Sequence, residues 1–261
     1  MEKRKYKNGF FASWERIINN DDRDRELNKR KLTGNYLIPD FSTLPDDGEK
    51  KVCVDIGAAQ GYFAIQNEEY FDEIYCFEPC YPNFLKLIRN VQEKNLINKI
   101  TCLNLALSKS RKSADGTGID GKIIDFKFNN RSSPYGSSIV DNIEKSKDHS
   151  HSVIAIGLPQ VFKFVSRDKI DYLKCDIEGA EYGLLFGEKL SNIGIISMEV
   201  HRQILGKANV KELIHYITKQ GFSPVQTSQR PNGEFTFINR GFWLDKLTPA
   251  EAVDFLSRHR K

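Results

Sequence analysis

The chain has 261 residues, 39% of them hydrophobic and 28% charged, which is enough apolar material for a core and excludes a wholly disordered protein. The net charge of +4 is small, so the dense basic stripe of a dedicated nucleic-acid binder is not indicated. No apolar run reaches the roughly 18 residues that a membrane-spanning helix needs, and no apolar segment typical of a secretory signal follows Met1.

The chain divides into three predicted parts. Residues 1–50, with a run of mixed charge at 21–31, are expected to form a helical or irregular appendage. Residues 51–243 are expected to form the main domain. Residues 244–261 are predicted to form a C-terminal helix, because they contain the helix-start sequence Thr248-Pro249-Ala250-Glu251.

Short apolar strands alternate with helical segments through the main domain. Strands are predicted at 52–57, 73–79, 100–107, 170–176 and 194–200, and a terminal hairpin at 223–227 and 234–239. This order is typical of an α/β fold with a parallel sheet covered by helices on both faces. Residues 108–168, in which 123–128 and 153–156 have strand-like composition, are expected to form an irregular insertion over the active face.

The five cysteines give no sign of a metal or disulfide framework. Cys53, Cys76, Cys102 and Cys175 fall in predicted strands, where a free thiol behaves as a small hydrophobic group. Cys76 and Cys80 have no second Cys/His pair that would complete a zinc set. We therefore expect reduced cysteines and a cytoplasmic protein.

A glycine loop follows the first predicted strand, in Asp55-Ile56-Gly57-Ala58-Ala59-Gln60-Gly61. Glycines at this point let the backbone turn sharply and approach a ligand at the carboxyl end of the strand. The Gly57-x-x-x-Gly61 spacing has alanine at position 59, where the dinucleotide fingerprint Gly-x-Gly-x-x-Gly has its second glycine. A strand-end acid with this looser loop suits a positively charged cofactor without a pyrophosphate, such as S-adenosylmethionine (SAM).

Glu78 ends the second predicted strand, about 20 residues after the glycine loop. A carboxylate at that place can accept hydrogen bonds from both ribose hydroxyls of a bound adenosine. We therefore predict that Glu78 binds the cofactor.

Further acids follow the fourth and fifth predicted strands, where Asp176, Glu178, Glu199 and His201 are expected to meet in one crevice. Such a cluster indicates a functional site, because its groups can titrate abnormally. Simpler interpretations are a helix-start acid at Glu178, a solvated helix face at Glu181 and a surface histidine at His201.

Together these residues resemble the FkbM family of SAM-dependent methyltransferases. The resemblance covers roughly residues 51–240 and is carried by Asp55-Ile56-Gly57-Ala58, Phe77-Glu78-Pro79, Lys174-Cys175-Asp176-Ile177-Glu178-Gly179-Ala180-Glu181 and Glu199-x-His201. Gln60 departs from the asparagine usual in the family. The resemblance implies a Rossmann-like class I fold, with a seven-stranded sheet whose last strand is antiparallel. It also implies methyl transfer to a hydroxyl of a sugar, a glycan or another small molecule.

The expected cofactor contacts, with Ala106 taken from the end of the third strand, are Asp55, Gly57, Gly61, Tyr62, Glu78, Ala106 and Asp176. A neutral hydroxyl must lose a proton during the transfer, which calls for a base. His201 and Asp176 are the candidates for this base, and Glu199 is a further catalytic residue. Asp176 is alternatively expected to hold the cofactor's amino acid end.

Four other interpretations stay open. A nicotinamide-dependent oxidoreductase is disfavoured by the missing central glycine, and a non-catalytic SAM-binding module by the acids at the strand ends. Nucleic-acid methylation is disfavoured because Asp176-Ile177-Glu178-Gly179 replaces the proline-aromatic run that stacks a flipped base. Metal dependence through Asp176, Glu178, Glu199 and His201 is a weaker alternative, and we expect no metal. The acceptor and the oligomeric state are not encoded in any recognisable motif.

Overall fold

The computed structural model describes residues 36, 38, 41, 48–109, 121–128, 149–226, 232–244 and 247–250. Most of the predicted appendage at 1–50 and most of the predicted C-terminal helix at 244–261 lie outside the described residues.

The elements alternate in the order that the sequence predicts. The strands are β1 (Val52–Ile56), β2 (Glu73–Phe77), β3 (Ile100–Leu103), β4 (Ala106–Leu107), β5 (Lys122–Phe128), β6 (His149–Ile156), β7 (Ile170–Cys175), β8 (Ile193–His201), β9 (Phe222–Gln226) and β10 (Asn232–Asn239). The helices are α1 (Tyr62–Gln66), α2 (Tyr81–Glu93), α3 (Leu158–Val165), α4 (Glu181–Leu185), α5 (Arg202–Lys219) and α6 (Arg240–Leu244), with a 3-10 turn at Glu68–Tyr70.

Seven strands form one sheet in the order β3-β2-β1-β7-β8-β10-β9. β10 runs antiparallel to both of its neighbours, and the other neighbouring strands of this sheet run parallel to each other. The predicted class I methyltransferase fold, with one antiparallel strand in a seven-stranded sheet, is therefore confirmed. The predicted hairpin corresponds to β9 and β10.

Hydrophobic side chains cover the sheet on both faces, as expected for central parallel strands. Every residue of β1 and β7 is buried. One core cluster joins the sheet to α3 and α5 through residues such as Val161 and Leu213. The other joins it to α1, α2 and α6 through residues such as Leu87 and Trp243. Ligands bind to sheets of this kind at the carboxyl ends of the strands.

The segment at 108–168 is more regular than the sequence suggested. β4, β6 and β5 form a second, three-stranded sheet, and α3 precedes β7. The predicted strand at 100–107 is divided, because β3 ends at Leu103 and residues 106–107 join the second sheet. The side-chain amide of Asn104 donates to the carbonyls of Glu78 and Pro79 at 2.8 and 3.1 Å, which holds the chain at this division.

Two described residues of the N-terminal segment pack against the core of the main domain. Phe41 is buried against Phe71 and Trp243, with ring centroids 5.5 and 5.8 Å apart. Ile38 packs against the same core cluster.

The five cysteines, all within the described residues, are free thiols. None of the helices in the described ranges is both long and apolar enough to cross a bilayer.

Candidate active site

The glycine loop turns tightly between β1 and α1. Gly57 has a φ of 73°, and its N–H donates to the carbonyl of Phe77 at 2.9 Å. A Cβ atom at this position would lie 1.8 Å from the carbonyl oxygen of Asp176. Glycine is therefore required at position 57 for two reasons: its backbone is left-handed, and the end of β7 at Asp176 approaches it closely.

Gly57→Ala is expected to lower the free energy of unfolding by about 2–4 kcal/mol, the combined cost of a left-handed alanine and a steric overlap. Chemical denaturation measures this change. Gly187→Ala is the matched control, since Gly187 has a φ of 91° but no atom within 4 Å of an added Cβ. An equal loss in both variants would show that the contact with Asp176 is unimportant.

Lys174 holds the glycine loop in place. Its Nζ lies 3.1 Å from Oδ1 of Asp55 and donates to the carbonyl of Gly57 at 2.8 Å. Asp55 has 0% of its surface exposed. Its side chain positions the loop through Lys174, and a contact of Asp55 with the cofactor stays a prediction.

The remaining loop residues have separate roles. Gly61 has a φ of 81°, and a Cβ there would lie 2.3 Å from Leu87 of α2, so this glycine allows helix packing. Tyr62 donates through its hydroxyl to Oε1 of Gln60 at 3.1 Å. Nε2 of Gln60 is buried and has no hydrogen-bond partner among the described residues, so it is a donor available to a ligand.

Glu78 ties the glycine loop to the start of α2. Its Oε2 accepts from the Ala59 N–H at 2.7 Å, and its Oε1 accepts from the Cys80 N–H at 2.8 Å. Burial raises the pKa of Glu78 to about 8, although both N–H groups oppose this shift. His151 of β6 contacts the Pro79 carbonyl at 2.8 Å, so the second sheet supports this loop.

Ala106 is not part of the crevice. It is 1% exposed and packs in a small core with Cys80 and Phe126. Its side chain is turned into this core because the chain leaves the main sheet after β3, and the contact of Ala106 with the cofactor stays a prediction.

Asp176 follows β7 at the centre of the strand ends and is half-buried. Its Oδ2 accepts a hydrogen bond from the Tyr36 hydroxyl at 3.1 Å. Burial raises the pKa of Asp176; Lys174 lowers it, and the charge of Glu178 raises it further. The strand-end rule placed this residue correctly.

His201 lies between two carboxylates. Its Nδ1 is 2.9 Å from Oε1 of Glu181, and its Nε2 is 3.1 Å from Oε2 of Glu178. Burial alone would lower the pKa of His201, but the hydrogen bonds and charges of Glu178 and Glu181 raise it to about 11. The side chain is 4% exposed, so the surface-histidine interpretation is wrong.

This arrangement bears on two further expectations. An imidazolium whose ring nitrogens both face carboxylates holds its proton near neutral pH, which disfavours the prediction that His201 is the base. Glu181 is 0% exposed rather than on a solvated helix face, and it also accepts from the Gly179 N–H at 3.1 Å. Glu178 has a left-handed φ of 53°, which brings its carboxylate towards His201.

Glu199 reaches the same crevice from β8. Its Oε1 lies 3.9 Å from Nε2 of His201, and 28% of its side chain is exposed. Burial and the charge of Asp176 raise the pKa of Glu199 to about 7, while His201 opposes the shift. Glu199 is thus a partly accessible carboxyl group that can exchange a proton near neutral pH.

The same residues raise the question of a metal. Asp176, Glu199 and His201 each offer one ligand atom, and these atoms lie within 4.8 Å of one another. Both ring nitrogens of His201, however, face carboxylates at hydrogen-bond distance. In this arrangement the imidazole has no lone pair for an ion, and the geometry favours an ion-paired network.

Three functional residues were missed at the sequence level. Lys174 is a charged residue inside an apolar strand, and that contrast could have identified it. The contact of Glu181 with His201 depends on where α4 places the Glu181 carboxylate. Tyr36 is separated from its partner Asp176 by 140 residues. No local pattern marks either of these two contacts.

The methyltransferase FkbM domain family matches residues 55–224, which is more than half of the chain and includes the loop, Glu78 and the cluster around Asp176. The chain belongs to the FkbM methyltransferase family. SAM is therefore its cofactor. A comparison with curated proteins finds no match for this chain.

Solved structures similar to this FkbM protein are methyltransferases. FkbM methyltransferase from Methylobacillus flagellatus is 13% identical, with 87% of this chain and 58% of that chain covered and a TM-score of 0.46. This chain thus spans less than two thirds of that relative. M. capricolum TrmK, solved with S-adenosylhomocysteine (SAH), is 10% identical over 80% of this chain and 76% of that chain, with a TM-score of 0.40. The N-terminal domain of human METTL16, also with SAH, is 13% identical over 87% and 67%, with a TM-score of 0.41.

The residues around the loop fit SAM. Nε2 of Gln60, which has no hydrogen-bond partner among the described residues, can donate to a carboxylate. The Glu78 oxygens each accept one N–H and keep a second lone pair for a ribose hydroxyl.

Proposed function

We propose that this protein is a SAM-dependent O-methyltransferase that acts on a hydroxyl group of a sugar, a glycan or another small molecule, with Glu199 as the general base. One geometric observation supports this assignment above the others. Glu199 is a partly exposed carboxylate 3.9 Å from Nε2 of His201, whereas Glu178 and Glu181 are engaged by the two ring nitrogens at hydrogen-bond distance.

The residues divide the chemistry between them. SAM supplies an electrophilic methyl group on a positively charged sulfonium. Glu199 removes the proton of the acceptor hydroxyl as the new oxygen–carbon bond forms and the sulfur–carbon bond breaks, which leaves the neutral thioether SAH. Asp176 and Glu78 hold the cofactor, so that much of the rate acceleration comes from orientation. His201, fixed by Glu178 and Glu181, positions Glu199.

The charge of the crevice restricts the acceptor. Asp176, Glu178 and Glu199 face this crevice, and they would repel the phosphates of a nucleic acid or of a phosphorylated sugar. A neutral hydroxyl compound has no such penalty. A nicotinamide cofactor is disfavoured because Ala59 occupies the position of the second fingerprint glycine.

Glu78→Ala is expected to weaken SAM binding by about tenfold, because it removes the partner of two ribose hydroxyls and each hydrogen bond contributes about 0.5–1.5 kcal/mol. The variant also removes the acceptor for the Ala59 and Cys80 N–H groups, which loosens the loop. Isothermal titration calorimetry measures the dissociation constant. Glu73→Ala is the control, because Glu73 begins the same strand and pairs with Lys50 instead. Equal affinities in wild type and Glu78→Ala would show that Glu78 does not bind the cofactor.

The function is tested by incubating the protein with methyl-labelled SAM and a panel of neutral, cationic and phosphorylated hydroxyl compounds. Mass spectrometry and NMR then identify which atom carries the label. The proposal predicts label on a hydroxyl oxygen of an acceptor without a phosphate. Label on nitrogen, or transfer to nucleic acid alone, would contradict it.

A further inference from the structure

Tyr36 joins the candidate site from outside the matched family domain. That match begins at residue 55, and Tyr36 lies upstream of it. Its hydroxyl nevertheless donates to Oδ2 of Asp176 at 3.1 Å. A segment that the domain does not include thus contacts a residue at the centre of the strand ends.

The ring of Tyr36 contacts two other parts of the loop structure. It stands edge-on against Phe63 of α1, with ring centroids 5.7 Å apart and planes at 84°. Nζ of Lys174 lies 5.6 Å from the ring centroid, within the range of a cation–π contact. Tyr36 therefore packs on the helix after the glycine loop and on the lysine that holds this loop.

The hydrogen bond has one possible direction. Burial, followed by the charges of Asp176 and Glu199, raises the pKa of Tyr36 well above its ordinary value, so its hydroxyl keeps its proton. The hydroxyl donates and the Asp176 carboxylate accepts. Because Oδ2 is engaged by Tyr36, Oδ1 is the oxygen that remains to meet a ligand.

We propose that Tyr36 is a positioning residue of the cofactor site, whose hydroxyl orients the Asp176 carboxylate and whose ring covers Lys174. This inference rests on the proposed function, because it takes Asp176 as a residue that holds SAM. It also assigns a role to a residue that lies upstream of the matched domain.

The test compares full-length wild type with Tyr36→Phe, which removes the hydroxyl and keeps the ring. Calorimetric titration with SAM is expected to show affinity about fivefold to tenfold weaker in the variant. Tyr182→Phe is the matched control, because it removes another tyrosine–carboxylate hydrogen bond, to Glu212 at 2.8 Å, on an exposed surface. Thermal unfolding of both variants separates a loss of stability from a loss of affinity.

A double-mutant cycle identifies the partner. If Tyr36 acts through Asp176, adding Tyr36→Phe to Asp176→Asn should change SAM affinity by less than about twofold. Equal SAM affinity in wild type and Tyr36→Phe, or a full additional loss in the double variant, would overturn the inference and leave the proposed function intact. A wild-type protein that binds no SAM would overturn both.

Discussion

Replacing Glu199 with glutamine is expected to reduce methyl transfer by about 10²–10⁴-fold, the usual range for loss of a general base. The amide keeps the size of the side chain but cannot accept the proton of the acceptor hydroxyl. SAM affinity should stay nearly unchanged, because the proposal assigns the cofactor contacts to Glu78, Asp176 and the loop. Initial rates with saturating SAM, together with calorimetric titration, measure the two effects separately.

Glu234→Gln provides the matched control for this variant. Glu234 pairs with Glu199 across β10 and β8, and its negative charge contributes to the raised pKa of Glu199. Its removal should move the acid limb of the rate profile to lower pH and leave the maximal rate close to that of wild type. A wild-type rate in Glu199→Gln would show that the base lies elsewhere or that none is needed.

His201→Ala is expected to lower the free energy of unfolding by about 3–5 kcal/mol, the range for removing one partner of a buried ion pair. The fully buried carboxylate of Glu181 would lose the imidazolium that Nδ1 places 2.9 Å away. Guanidinium denaturation measures this loss. Arg89→Ala is the control, because it breaks an ion pair with Glu93 whose side chains are 48% and 49% exposed. That exposed pair should contribute less than about 1 kcal/mol.

The pH dependence of this difference gives a second check. A histidine whose pKa is raised in the folded state stabilises the protein fully below its unfolded pKa of about 6.5, and the effect is lost as the pH rises through the folded pKa. For His201 the folded value is about 11. The difference between wild type and His201→Ala should therefore be largest below about pH 6.5, decline gradually above that pH and still be measurable at about pH 9. Disappearance of the difference above about pH 7 would mean that His201 is neutral there.

The strand ends were predictable because they follow from topology. Alternating strands and helices place the carboxyl ends of parallel strands at one edge, so Glu78, Asp176 and Glu199 had to lie near one another. The division of the strand at 100–107 was not predictable, because an apolar run does not show which sheet it joins. Ala106 was misplaced for that reason.

Protonation states depend on contacts that spacing does not reveal. His201 was expected to titrate near its ordinary value, since nothing in Glu199-x-His201 shows that Glu178 and Glu181 enclose the ring. Glu181 was expected in solvent, because a charged residue at the start of a helix is usually exposed. Both differences come from the same buried pair, and they move the proposed role of general base from His201 to Glu199.

The most direct test of Glu199 as the base is an NMR titration of the wild-type protein from about pH 5 to about pH 9, which needs no methyl acceptor. Isotope labelling reports the carboxyl carbon of Glu199 and the ring nitrogens of His201, with Glu199→Gln and His201→Ala used to assign the signals. Our account predicts that the Glu199 carboxyl titrates with a midpoint of about pH 7. It also predicts that the His201 ring stays protonated throughout, in line with a pKa of about 11. A His201 ring that loses its proton near about pH 6.5, with Glu199 fully ionised by about pH 5.5, would contradict it.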